Sequence, residues 1–137
     1  MNAKIQAEIV KAPIGWSYDY DQVEEEVYFS DGVMVKRMSV RECMIDLSRL
    51  EQVDLIKYFQ DDFSWPPVEP TKLRLKEVGY TAICLEGEKH KCWIKESYYK
   101  MFRKYIFEYS GGNWVQVRHP ETIEIIAVIA VIKTNRE

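Results

Sequence analysis

The 137-residue chain is 47% hydrophobic and 30% charged, which fits one ordinary water-soluble domain with a substantial core. Its longest apolar run, Ile125 to Ile132, falls far short of the ~20 residues needed to span a bilayer, and no N-terminal stretch has the form of a secretory signal. Three irregularly spaced cysteines make no disulfide framework, so the expectation is a cytoplasmic protein with reduced thiols and no membrane association.

The net charge of -3 is unevenly spread. Residues 1–70 hold seven Lys/Arg against fourteen Asp/Glu, whereas residues 71–137 hold twelve against eight. That asymmetry suits a basic surface meeting an acidic partner, or copies that dock head to tail. It equally suits halves whose charges interleave on folding.

In chain order, Ile5, Ala7 and Ile9 alternate with polar residues and predict a half-buried strand, which Pro13 and Gly15 end. Ser30-Asp31-Gly32 predicts a tight turn joining strands at Val23–Phe29 and Val33–Met38. Cys43, Ile45 and Leu47 alternate again and favour a third strand, although 40–47 also admits a helix. Ser39-Val-Arg-Glu42 and Ser48-Arg-Leu-Glu51 both have the form of a capping box. A first helix is expected near 49–62. Ser64-Trp-Pro-Pro-Val-Glu-Pro70 ends it and is the one candidate linker.

Strands are then expected from Leu73 to Leu85, with Glu86-Gly87-Glu88 turning the chain into His90–Ile94. A second helix is expected near 95–105, with Tyr98, Met101, Phe102 and Tyr105 on one face. Gly111-Gly112 marks a turn before Trp114–Arg118, and Thr122–Lys133 forms a long last strand. The sum is a single α+β domain over 1–137, with a mostly antiparallel sheet of about seven or eight strands and two helices. Because Ile125–Ile132 is apolar on both faces, it favours burial against another subunit and hence a homo-oligomer.

Catalytic chemistry is poorly supplied. His90 and His119 lie beside no nucleophile motif, and the six glycines form no phosphate cradle. A tight turn at Glu86–Lys89 sets Ile83 across from Cys92 and Cys84 across from Lys91, so the two thiols point to opposite faces and hold no metal with His90. No catalytic residue, metal or cofactor is expected, and the balance leans away from an enzyme.

Two surfaces are candidates for binding. The acidic-aromatic segment holds Trp16, Tyr18, Asp19, Tyr20, Asp21, Glu24 and Glu26, and Trp16–Asp31 carries six acids without a base. It suits a basic protein partner or a solvated edge strand. Lys95, Lys100, Arg103 and Lys104 lie opposite the aromatic face of the second helix and suit nucleic-acid backbone, or simply solvent. An Asp61-Asp62 pair at a helix C-terminus opposes the helix dipole and is a further partner-facing feature.

The run Cys92-Trp-Ile-Lys-Glu-Ser-Tyr-Tyr-Lys-Met-Phe102, followed by a glycine turn and a last strand ending Ile132-Lys133, resembles one domain of the bacterial DNA sliding clamp. Ser30-Asp31-Gly32 echoes the Thr-Asp-Gly hairpin of that family, and the likeness covers most of residues 23–133. It departs at Ala130-Val131-Ile132-Lys133, which lacks the family's proline, and in the acidic first helix expected over 50–62. The resemblance implies a ring assembled through sheet edges, with Lys95, Lys100, Arg103 and Lys104 near DNA. Three functions follow: a non-enzymatic protein-binding protein, acidic and self-assembling; a clamp-like nucleic-acid factor; or a small-ligand-binding protein or modest hydrolase.

Overall fold

The computed structural model describes residues 2–59 and 64–133. The chain divides into two compact units, Met1–Asp61 and Asp62–Glu137. No helix among the described residues is long and apolar enough to cross a membrane. The Asp61-Asp62 pair lies outside the described residues.

The first unit opens with helix α1 (Asn2–Lys11), followed by β1 (Ser17–Asp21), β2 (Glu26–Ser30), β3 (Met34–Ser39) and the two-residue β4 (Glu51–Gln52). The strand order is β4-β1-β2-β3, with β4 parallel to β1 and the remaining pairs antiparallel. The Ser-Asp-Gly turn forms as its chemistry demands. Asp31 Oδ1 accepts from the Val33 and Met34 amides at 2.9 Å, and Gly32 takes φ 96°, which favours glycine.

Three expectations need correction here. Residues 5–9 are helical, not extended, because Ile5 and Ile9 also satisfy the helical i, i+4 spacing and both are buried. The strand expected over 43–47 is irregular chain, preceded by a 3-10 turn at Val40–Glu42 that the Ser39 side chain caps. Of the helix expected near 49–62, the described residues 49–59 instead hold β4 and 3-10 turns at Leu47–Arg49 and Ile56–Phe59, and 60–62 lie outside the described residues. Asp46, not Ser48, caps the first of these turns.

The second unit holds β5 (Pro67–Glu77), β6 (Tyr80–Glu86), β7 (Lys91–Lys95), α2 (Glu96–Met101), β8 (Ile106–Tyr109), β9 (Trp114–Arg118) and β10 (Ile125–Ala130). Its order is β10-β9-β8-β5-β6-β7, antiparallel throughout. Beyond β10, Ile132 forms an isolated antiparallel bridge with Trp93 on β7. The proline-rich stretch expected as a linker begins β5, with Val68 buried. Helix α2 is shorter than expected and stops at Phe102, whose amide bonds back to Tyr98 and Tyr99.

The hairpin register pairs Glu86 with Lys91 and Cys84 with Trp93, two residues away from the expected alignment. A shift of two preserves facing, so Cys84 and Cys92 still point to opposite sides. Both apolar faces of β10 are largely buried within the chain.

The expected class, α+β with a mostly antiparallel sheet and two helices, is the one observed, with ten strands. Each unit contains one helix followed by three antiparallel strands, α1-β1-β2-β3 and α2-β8-β9-β10.

Candidate binding groove

Helix α1 buries Ile5 and Ile9 and turns Ala3, Ala7 and Val10 toward a groove of about 750 Å³. The opposite wall is the irregular segment Arg41, Glu42, Met44 and Ile45. Residues outside regular structure need other partners for their backbone groups, and Gln6 supplies them. Its Nε2 donates to the Glu42 carbonyl at 2.7 Å, and its Oε1 accepts from the Met44 amide at 2.5 Å. The Asn2 side chain donates to the Glu42 carboxylate. One carboxamide thus pins helix to wall and sets the width of the groove.

The groove shares Val10, Met44 and Ile45 with a cavity of about 90 Å³ that runs toward Ile9, Pro13 and Leu50. Its apolar rim is open to solvent: Val10 is 68% exposed, Met44 85% and the neighbouring Ile14 95%. Among the lining carboxylates, Glu42 is held by Asn2, and Asp46 accepts from the Ser48 amide and hydroxyl. Those Ser48 hydrogen bonds hold the Asp46 carboxyl below its ordinary range. Lys11 and Arg41 line the groove with no ion pair among the described residues, so the rim carries two cations against the one carboxylate of Glu42. Among the described residues, the lining has no serine, cysteine, histidine or tyrosine.

The acidic-aromatic segment does not form one surface. Asp19 is buried, and its carboxylate accepts from the Tyr20 and Leu55 amides at 2.9 Å and from Ile56 at 3.2 Å. Burial pushes its carboxyl upward, but those amides and Gln52 together outweigh it and the net direction is down. Glu26 lies 3.5 Å from Arg37. The Arg37 guanidinium sits 5.0 Å from the Phe59 ring centroid, and Phe59 packs on Tyr28 at 5.1 Å. Burial raises the Tyr28 hydroxyl above its ordinary range. Trp16 and Tyr18 are half-buried, while Tyr20 and Glu24 are exposed.

What remains outward is the turn between β1 and β2. Asp21 Oδ1 accepts from the Val23 and Glu24 amides at 3.0 and 3.1 Å, which fixes the turn, and Glu25 adopts φ 53°. Val23 stands 89% exposed between Asp21 and the exposed Glu24 and Glu25.

The basic residues of the second unit divide too. Lys95 Nζ lies over the Tyr80 and Tyr98 rings at 5.4 and 5.9 Å, and Lys100 is 3.7 Å from Glu96. Arg103 and Lys104 follow the end of α2 and are exposed. Cys84 and Cys92 are buried, and burial first, then Cys84, pushes the Cys92 thiol up to about 12. Among the described residues, no group of three or more His, Cys, Asp or Glu is placed to hold a metal ion. The groove escaped sequence reasoning because one of its walls reads as a strand and α1 reads as another; the exposed Val10 and Met44 were the available signal.

No protein-family model, no characterised protein and no solved structure matches this chain.

Proposed function

We propose that this chain is a non-enzymatic binding protein working through protein–protein contacts, with the groove beside α1 as its working surface. The carrying observation is an open apolar channel with Lys11 and Arg41 on its rim, neither in an ion pair among the described residues, against the single carboxylate of Glu42. Its occupant is an apolar side chain flanked by carboxylates. The β1–β2 turn of a second copy has that chemistry: Val23 projects between Asp21, Glu24 and Glu25. Because Asp21 already fixes the turn, little ordering entropy opposes docking.

Groove and turn are different surfaces, so the contact is head-to-tail and builds a ring or an open chain. Burying one valine contributes about 1.5 kcal/mol, and each exposed ion pair about 0.2–1 kcal/mol. Association is therefore weak, with Kd roughly millimolar. Light scattering at several protein concentrations tests it. Average mass is expected to climb above the 16.3 kDa of one chain as concentration rises, and to fall back in high salt. A mass fixed at one chain at millimolar concentration and low salt would overturn the reading.

A second reading rests on the helix-then-three-strands order common to both units, which suits the clamp-like architecture implied by the sequence resemblance. It expects salt-sensitive retention of DNA that weakens in a Lys100→Glu, Arg103→Glu, Lys104→Glu variant. No retention at low salt would sink it.

A further inference from the structure

The second unit carries another concavity, of about 490 Å³, beside the bridge between Ile132 and Trp93. Three pieces of chain converge on it. His90, Lys91 and Cys92 come from the entry to β7, Tyr109 and Gly111 to Asn113 from the β8–β9 turn, and Val131 to Lys133 from the segment beyond β10. Two backbone bonds fix the seam: the Val131 amide donates to the Asn113 carbonyl at 3.0 Å, and the Ile132 amide to the Trp93 carbonyl at 2.7 Å. The β6–β7 hairpin closes through the Gly87 amide on the His90 carbonyl at 2.8 Å.

The charge of this lining is one-sided. A chain with 22 carboxylates and 19 Lys/Arg places two lysines and a histidine here and no acid. Glu86 and Glu88 stand on the neighbouring hairpin turn but do not line the cavity. Among the described residues no ion pair holds Lys91 or Lys133. The turn itself is shaped to admit the histidine. Gly111 takes φ +92°, and a Cβ there would come within 3.0 Å of His90 Cε1 and 3.2 Å of Nδ1. Tyr109 meets the imidazole edge-on with centroids 6.0 Å apart, while its hydroxyl donates to the Gly112 carbonyl at 2.8 Å. The tyrosine fixes ring and turn together. Cys92, Val131 and Ile132 supply an apolar floor beside the cations.

We propose that this groove is an anion site for a phosphate group, free or carried by a small organic molecule, with Lys91, Lys133 and His90 as its ligands. Lysine ammonium groups bind phosphate as mobile point charges, and an imidazole N–H adds a directional donor. A few hundred Å³ with an apolar floor matches the dimensions of small-molecule sites. The site is independent of the groove beside α1, so either can fail without the other.

The two histidines make the test direct. His119 serves as an internal reference: its Nδ1 accepts from the Glu121 and Thr122 amides at 3.1 and 3.2 Å, and its ring packs on Tyr105 at 5.4 Å. The full chain is titrated at constant pH with inorganic phosphate, with adenosine monophosphate, and with sodium chloride at matched ionic strength, while the imidazole C–H resonances are followed by NMR. Saturable movement of His90 with phosphate or the nucleotide, with His119 still, is the expected result. Tighter binding of the nucleotide identifies a carried phosphate, and equal binding a free one. Lys91→Glu with Lys133→Glu is expected to weaken binding about tenfold or more, and the unmoved His119 resonance certifies that the variant is folded. Movement that chloride reproduces, or affinity unchanged in the folded double variant, would overturn the proposal.

Discussion

Replacing Asp19 by alanine should loosen the first unit by a predictable amount. The side chain holds the segment around Leu55 against β1 through amide bonds at 2.9 and 3.2 Å, with a third bond to Tyr20 at 2.9 Å. Leu55 is buried, so its amide loses its acceptor without gaining water, at a cost of about 1–3 kcal/mol. Ile56 is less buried and recovers part of its bond from solvent. Together with the lost charge assistance, the expected destabilisation is about 2–4 kcal/mol. Asp19→Asn keeps an acceptor oxygen without the charge and should cost about half of that.

Urea unfolding at pH 7 measures the loss, and amide exchange at Leu55, Ile56 and Phe59 locates it. The pH dependence has a definite sign. The folded carboxyl lies below its ordinary range, so its stabilisation is complete above the unfolded value near 3.9 and disappears as pH falls through the folded one. Asp19→Asn should therefore flatten that part of the acid limb. An alanine variant within about 0.5 kcal/mol of the parent, with exchange at Leu55 and Ile56 unchanged, would refute the assignment of this residue to folding.

Three other outcomes are expected. Arg118→Met should destabilise by about 3–5 kcal/mol in chemical unfolding, because it strips the cation 3.1 Å from buried Glu108 and leaves that carboxylate with the Gln116 amide at 2.7 Å and the Trp65 amide; adding Glu108→Leu should recover much of the loss. Burial, the leading cause, lowers Lys36 to about 8, so the folded state sheds this proton before the unfolded state does. The Lys36 contribution to stability is expected to rise from about pH 8 toward pH 10, and Lys36→Met to remove that contribution while stabilising the protein at neutral pH. Gly111→Ala should cost about 1–2 kcal/mol from its positive φ alone and should displace the His90 resonance, since the new Cβ meets that ring.

Local chemistry made part of the fold legible. The Ser-Asp-Gly turn, the β6–β7 hairpin, the last two strands and the start of α2 all follow from short-range patterning. Alternation failed at residues 5–9 because Ile5 and Ile9 fit both periods, and the decision lay in bonds from Gln6 to residues 36 and 38 positions away. Helical spacing failed at 49–59 because the Asp19 carboxylate, 36 positions upstream of Leu55, captures amides that a continuous helix would have bonded internally. The same capture divides the acidic segment. Its charges are read alike from sequence, yet Asp19 and Glu26 turn inward to an amide pair and an arginine, and only the turn around Val23 stays outward. The groove beside α1 could not be read because both of its walls carried the wrong secondary structure.

The most direct test of the groove-and-turn contact mixes two disabled proteins. A Val23→Glu variant keeps the groove and lacks a competent turn, whereas a Lys11→Glu, Arg41→Glu variant keeps the turn and lacks a competent rim. Each alone is expected to stay at the 16.3 kDa of one chain by light scattering, and the equimolar mixture to form a two-chain particle that high salt dissolves. A mixture no heavier than its components, with the parent protein equally monomeric, would contradict the account.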